Sequence, residues 1–219
     1  MNLYRPESHG WIEVISGPMY SGKSSSLMAR IRREVIAGKR AMVFKPAIDD
    51  RYSTEEIMTH DGEKLHANSI ICRLSEGNEP RAVSREILEQ VHPSVDAVGI
   101  DEGQFFDEDL VEVCETLANR GLRVIVAGVD MDYRCLPWAP MSDLMSVAEF
   151  VEKLPAVCFK CGRPATKIQR FTKGHYSHWY EPTIVVGSNI AGDKHQYEAR
   201  CRKCYVAPPK LIQGGKQDE

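Results

Sequence analysis

The chain has 219 residues, a net charge of −3, 42% hydrophobic and 27% charged residues. That balance fits one domain with a small appendage, or one large domain, and excludes disorder along the whole length. Without an overall basic field, nucleic acid or an anionic membrane is not an expected partner, and no stretch approaches the ~20 apolar residues of a membrane span.

In chain order, residues 11–15 predict a strand. Residues 24–37 carry apolar side chains at helical spacing and are stopped by Gly38, which predicts a helix. The basic residues Arg30, Arg32, Arg33, Lys39 and Arg40 are expected on its solvated face. A strand over 41–44 leads into a polar stretch from 45 to about 68, and another strand is expected over 69–74. Residues 80–91 predict a helix with Pro in its first turn and Val83, Ile87, Leu88 and Val91 on one face.

A short strand over 97–100 delivers Asp101. Residues 107–119 predict a helix with Asp107 as N-cap, Leu110, Val113, Cys114 and Leu117 inward, and Gly121 just past its end. The apolar run 122–129 reads as a strand buried on both faces. Such alternation implies an α/β fold, a parallel sheet flanked by helices. From residue 155 the composition changes to Cys pairs, Pro, Gly and strand-like pieces such as 183–186, and from about 208 a loose tail is expected.

Gly17-Pro18-Met19-Tyr20-Ser21-Gly22-Lys23-Ser24 matches G-x-x-x-x-G-K-[ST] between a predicted strand and a predicted helix. Its glycines let backbone N–H groups face phosphate oxygens, and the helix N-terminus adds favourable potential. Lys23 is expected to neutralise the β- and γ-phosphates of ATP, and the Ser24 hydroxyl to hold Mg²⁺. A Gly-rich turn without a ligand is the bland alternative, which the strand–loop–helix context disfavours. Asp101 and Glu102 then end an apolar strand: an acid there supports Mg²⁺, and a second one can accept the proton of an attacking hydroxyl. The alternative makes them ordinary loop acids capping the next helix.

Cys158-x-x-Cys161 and Cys201-x-x-Cys204 supply four thiolates on two knuckles, the donor set of a closed, structural Zn²⁺ site. Redox pairs or disulfides are the alternatives. A first decapeptide, MNLYRPESHG, without an apolar signal core implies the cytoplasm, where thiols stay reduced and metal ligation is favoured. The long stretch between the Cys pairs exceeds what a compact ribbon needs. Cys72 and Cys114 fall on predicted apolar faces, Cys135 has no evident place, and His175, His178 and His195 are not needed as ligands.

With these motifs the chain resembles the zinc-containing, tetrameric thymidine kinase family. The resemblance covers about residues 11–205 and rests on GPMYSGKS (17–24), IDDRYS (48–53), THDG (59–62), IDEGQFF (100–106), VDMDYR (129–134), AVCFKC (156–161) and YEARCRKCY (197–205), in that order. It implies a RecA-like P-loop domain over 1–154, a zinc-ribbon lobe with a substrate loop over 155–207, and a tail over 208–219. It implies Glu102 as the base that takes the 5′-hydroxyl proton of thymidine, and Asp50, Arg51, Asp101 and Gln104 around the ATP phosphates. Met19, Phe105 and Tyr133 match positions that line the thymine pocket. The substrate loop would bring Val186, Gly187, Ser188 and Asn189, with Tyr197 further along; residues 189–196 are an insertion relative to the family's shorter loop. A homotetramer that binds thymidine and ATP, and neither nucleic acid nor membrane, is what the resemblance implies. From the residues alone, a P-loop ATPase that handles nucleic acid and a non-catalytic nucleotide-binding regulator are the rival readings.

Overall fold

The computed structural model describes residues 10–47, 56–58, 64–74, 79–184 and 195–210. The elements run β1 (Trp11–Ser16), α1 (Lys23–Ile36), β2 (Ala41–Pro46), β3 (Glu56–Met58), β4 (Lys64–His66), β5 (Asn68–Ile70), β6 (Cys72–Leu74), β7 (Pro80–Ala82), α2 (Arg85–Gln90) and β8 (Ala97–Ile100). A 3₁₀ turn (Gly103–Phe105), α3 (Leu110–Asn119), β9 (Arg123–Gly128), α4 (Met141–Val147) and β10 (Phe150–Lys153) follow. The chain continues with β11 (Ala156–Val157), β12 (Pro164–Ala165), β13 (Lys167–Thr172), β14 (His175–Tyr176) and β15 (His195–Arg200).

Six strands form one sheet in the order β10-β1-β9-β8-β2-β5, with every pairing parallel. Alternate residues of β1, β8 and β9 face opposite sides, as the pleat requires. Ile12, Val14, Val98, Ile100, Val124 and Val126 join α3 and α4 on one face, while Ile15, Ile125 and Ala127 meet Leu27, Met28 and Ile31 of α1 on the other. Gly99 points toward α1, where an added Cβ would lie 3.1 Å from Ile31 side-chain carbons; its bareness lets the helix lie close to the sheet. Near the strand starts, the Arg123 guanidinium grips Glu13 through two bonds and reaches Glu34, while Arg30 also bonds Glu13. Burial opposes ionisation of Glu13, but Arg123, Trp11 and Arg30 together hold its pKa below the usual value. Arg30 is therefore engaged in ion pairing with Glu13 and Glu152, while Arg33 and Arg40 are exposed.

Four expectations need correction. Residues 80–91 are not one helix: Pro80–Ala82 pairs antiparallel with Cys72–Leu74, and α2 starts only at Arg85. Pro80 lacks a ladder donor, and here it occupies the first strand position, a place open to proline. The strand expected over 69–74 splits, because β5 joins β2 in the large sheet whereas β6 turns to β7. Asp107 does not cap its own helix, which begins at Leu110 with Asp109 at the N-cap; its carboxylate accepts the Ser84 N–H at 3.3 Å and so fastens the start of α2. Residues 208–210, expected in a loose tail, are also held: Pro209 O accepts the Trp179 N–H at 3.1 Å, and Lys210 lies over the Trp179 ring.

β11–β12 and the antiparallel β14-β13-β15 sheet carry the four-cysteine group, so the architecture is a parallel α/β sheet flanked by helices with a C-terminal zinc-ribbon-like part. Among the described residues no helix is long and apolar enough to cross a membrane. Leu117→Ala, in the α3 face of the core, is expected to cost about 2–5 kcal/mol in urea unfolding, and Ile36→Ala, at an exposed helix end, within about 0.5 kcal/mol.

Candidate active site

Because the central strands are parallel, the segments after β1, β9 and β8 emerge at one edge, where ligands of open α/β sheets bind. After β1 the chain turns at Gly17, where an added Cβ would sit 2.3 Å from the Leu154 carbonyl oxygen. Gly22 takes the left-handed conformation as N-cap of α1; no side chain caps that helix and no acid lies in its first turn. Its positive end is thus suited to an anion. Lys23 is 9% exposed, and its Nζ donates to Pro18 O at 2.8 Å, inside the loop. Burial lowers its pKa, against the opposing pull of Glu102, Asp101 and Asp130. Ser21 Oγ also donates to Pro18 O, at 2.9 Å.

Ser24 Oγ donates to Asp101 Oδ1 at 3.2 Å, and the same oxygen accepts the Glu102 N–H at 3.0 Å. Burial, and then the neighbouring Glu102 charge, push Asp101 up to about 7. Glu102 itself has φ 52 and ψ 43, a left-handed conformation that non-glycine residues rarely adopt and that concentrates at functional sites. Gln104 Nε2 donates to the Glu102 carboxylate, while Gln104 Oε1 accepts the Val129 N–H at 2.8 Å. A Cβ at Gly128 would sit 2.8 Å from that Oε1, so the glycine leaves room for the amide. Gln104, expected near phosphate, is here a buried brace between Glu102 and the end of β9.

Met19, from the phosphate loop, packs with Val129, Tyr133, Trp138, Ile168 and Tyr197. Three positions expected to line the base pocket are thereby brought together. Phe105, the fourth, meets Trp138 edge-on at 5.8 Å between ring centroids. Phe106 instead is fully buried in the sheet core. Sequence reasoning missed Val129, Trp138 and Ile168. Trp138 follows Tyr133 closely in the same loop, but nothing in its local pattern separates a pocket residue from a core one. Its indole N–H is buried and has no partner among the described residues.

The Sγ atoms of Cys158, Cys161, Cys201 and Cys204 lie within 4.8 Å of one another, and none forms a disulfide. Zn–S bonds of about 2.3 Å place tetrahedral sulfurs about 3.8 Å apart, so this all-thiol donor set fits Zn²⁺ with no open position. Burial works against the Cys158 thiolate, yet hydrogen bonds from the backbone at Cys201, Lys160 and Cys161 bring the thiol down to about 6. Phe159, in the first knuckle, packs on Tyr20 of the phosphate loop at 5.3 Å, and Tyr20 Oη donates to Tyr197 O at 3.4 Å. The first Cys knuckle therefore touches the 17–24 loop directly. His175 and His178 are exposed and stand outside the thiol group. Cys135 adopts φ 64, and its sulfur accepts a hydrogen bond from Lys167 Nζ at 3.3 Å. Asp50, Arg51, Val186, Gly187, Ser188 and Asn189 lie outside the described residues.

Asp101 has a folded-state pKa above its unfolded one, so its protonated form is the stabilising one. The ligand-free protein is expected to lose stability as pH rises from about 4 through about 7. Asp101→Asn should raise the ligand-free melting temperature at about pH 8 and leave it unchanged at about pH 4, as read by circular dichroism. Chelation should free the segment between the Cys pairs for proteolysis while the parallel sheet stays protected, because structural zinc contributes ~10–16 kcal/mol in small fingers; limited digestion with mass mapping checks it. Residues 10–205, most of the chain, match the family model described as Thymidine kinase, and the chain belongs to that family.

Proposed function

We propose that this kinase transfers the γ-phosphoryl group of ATP to the 5′-hydroxyl of thymidine, and of deoxyuridine, giving the 5′-monophosphate for deoxynucleotide salvage. The observation that carries the reading is the double membership of Met19. It belongs to the phosphate loop and also packs in the Tyr133–Tyr197 cluster, so the phosphate cradle and the aromatic pocket share a wall.

In this reading the phosphate loop, residues 17–24, cradles the ATP phosphates, with Lys23 beside the β- and γ-phosphates. Mg²⁺, held by Ser24 and supported by Asp101, would offset charge on the transferring group. The Glu102 carboxylate, held by Gln104, accepts the 5′-hydroxyl proton as the oxygen bonds to the γ-phosphorus and the bond to the bridging oxygen of ADP breaks. Asp50 and Arg51 are assigned to the phosphate environment, where a planar guanidinium can spread charge from the transition state. Met19, Phe105, Tyr133 and Tyr197, with Val186, Gly187, Ser188 and Asn189, are assigned to the thymidine pocket, whose fixed size would accept the 5-methyl group and refuse a purine. We place a P-loop domain over 1–154 and a zinc-ribbon lobe with a substrate loop over 155–207, in a cytoplasmic homotetramer.

Transfer of label from γ-labelled ATP to the four deoxynucleosides and deoxyuridine tests the reading. Label on thymidine and deoxyuridine is expected, and equal labelling of purine nucleosides would overturn it. Glu102→Gln should keep nucleotide and thymidine binding while kcat falls ~10²–10⁴-fold; near-normal turnover removes Glu102 from its role.

A further inference from the structure

Among the described residues one large cation is fully buried. Arg170 in β13 has 0% exposure, and a buried guanidinium persists only where its charge and its donors are matched. Its Cζ lies 3.6 Å from the centroid of the Tyr133 ring. Its Nη1 donates to Pro182 O at 2.6 Å, its Nε to Ser177 Oγ at 3.0 Å, and its Nη2 to Glu181 Oε2 at 3.2 Å. In the β13–β15 ladder its partner is Tyr197. Directly opposed residues of an antiparallel pair share a face, so Arg170 stands beside both tyrosines of the candidate thymidine pocket.

Residues 177–184 contain no helix or strand, and they wrap this cation. The Tyr133 hydroxyl meets the carbonyl oxygens of His178 at 2.9 Å, Trp179 at 3.2 Å and Glu181 at 2.9 Å. Glu181 also accepts from Thr172 Oγ1 at 2.6 Å and from the His178 N–H at 2.7 Å. At the far end, Arg134 Nη2 donates to Thr183 Oγ1 at 2.9 Å, and Glu79 accepts the Thr183 N–H at 3.2 Å. This strap reaches Ile184, two residues along the sequence before Val186, the first of the loop residues assigned above to the nucleoside. Polar bonds to Arg170, Tyr133, Arg134 and Glu79 hold the strap along its length, with the buried Ile184 at its end.

We propose that Arg170 is a positioning residue for thymidine binding: by stacking on Tyr133 and bonding the 177–184 strap, it sets the orientation of the pocket ring without touching the substrate. The inference rests on the thymidine assignment for this pocket. The phosphate loop lies on β1 and α1 and shares none of the Arg170 hydrogen bonds. Loss of Arg170 should consequently separate the two substrates.

The test uses the full zinc-loaded chain with Arg170→Met, which keeps a long apolar stem but no fork of donors, and Arg170→Lys, which keeps the charge. The thymidine KM of Arg170→Met should rise about tenfold or more, while the ATP KM stays within about twofold and kcat within about threefold, since small misplacements of a binding group weigh heavily on its substrate. Arg170→Lys should recover part of the loss, and zinc content by atomic absorption should not change. An unchanged thymidine KM, or equal losses for both substrates, overturns the proposal. Should Arg170→Met be insoluble, Glu181→Gln, which weakens one Arg170 partner, is expected to raise the thymidine KM alone, and no rise overturns the proposal. A wild-type chain that fails to phosphorylate thymidine would instead refute the functional assignment, a result visible before any variant is made.

Discussion

The site depends on three neighbouring strands running the same way. β1 feeds the phosphate loop, β8 ends at Asp101, and β9 lies between them. Only with all three parallel do Ser24 and Asp101 come within hydrogen-bond distance, and only with β9 between them can Gln104 brace Glu102 against the Val129 N–H. The apolar interior enforces this arrangement, since strands buried on both faces by α1 and by α3–α4 cannot slip by one residue without turning their side chains to the wrong layer. Burial at that edge in turn lowers the pKa of Lys23 and raises that of Asp101.

A different economy operates after β10. The hydrophobic cluster around the thiols is small and consists of Ala156, Cys158, Ala165, Ala199 and Cys201, with Cys204 packed against it. So little apolar surface contributes modestly to stability, and directional bonds carry the shape instead: four thiols disposed for one ion at one end, and the Arg170–Tyr133–Glu181 network at the other. Directional bonds specify geometry more sharply than apolar contact does, and pocket walls need geometry. The Tyr20–Phe159 and Tyr20–Tyr197 contacts then join this part to the 17–24 loop, so the two sides of the candidate pocket are held together.

Three of the four non-glycine residues with positive φ among the described residues lie where these systems meet: Tyr20 in the phosphate loop, Glu102 at the end of β8 and Cys135 in the loop after β9, while Lys173 sits in the β13–β14 turn. The first three are each held by neighbours: Glu102 through Gln104, Cys135 through the Lys167 contact, and Tyr20 between Phe159 and the Tyr197 carbonyl. Strain of this kind persists only where surrounding structure over-determines it.

The sequence by itself determined the phosphate loop, the acidic end of β8, the Cys pairs and the buried run that became β9, because each is written in residues close along the chain. Residues 80–91 misled, because a 3.6-residue period can be imitated by a strand followed by a short helix, and the pairing of β7 with β6 is a choice between segments that local pattern does not record. Asp107 likewise found its donor on another element, at Ser84. Only the tertiary structure decided that Val129, Trp138 and Ile168 join Met19, Tyr133 and Tyr197, and that Arg170 is buried against them. Those residues come from segments far apart in the chain, and their shared surroundings arise from the packing of the zinc-ribbon part onto the sheet edge, which no short stretch encodes.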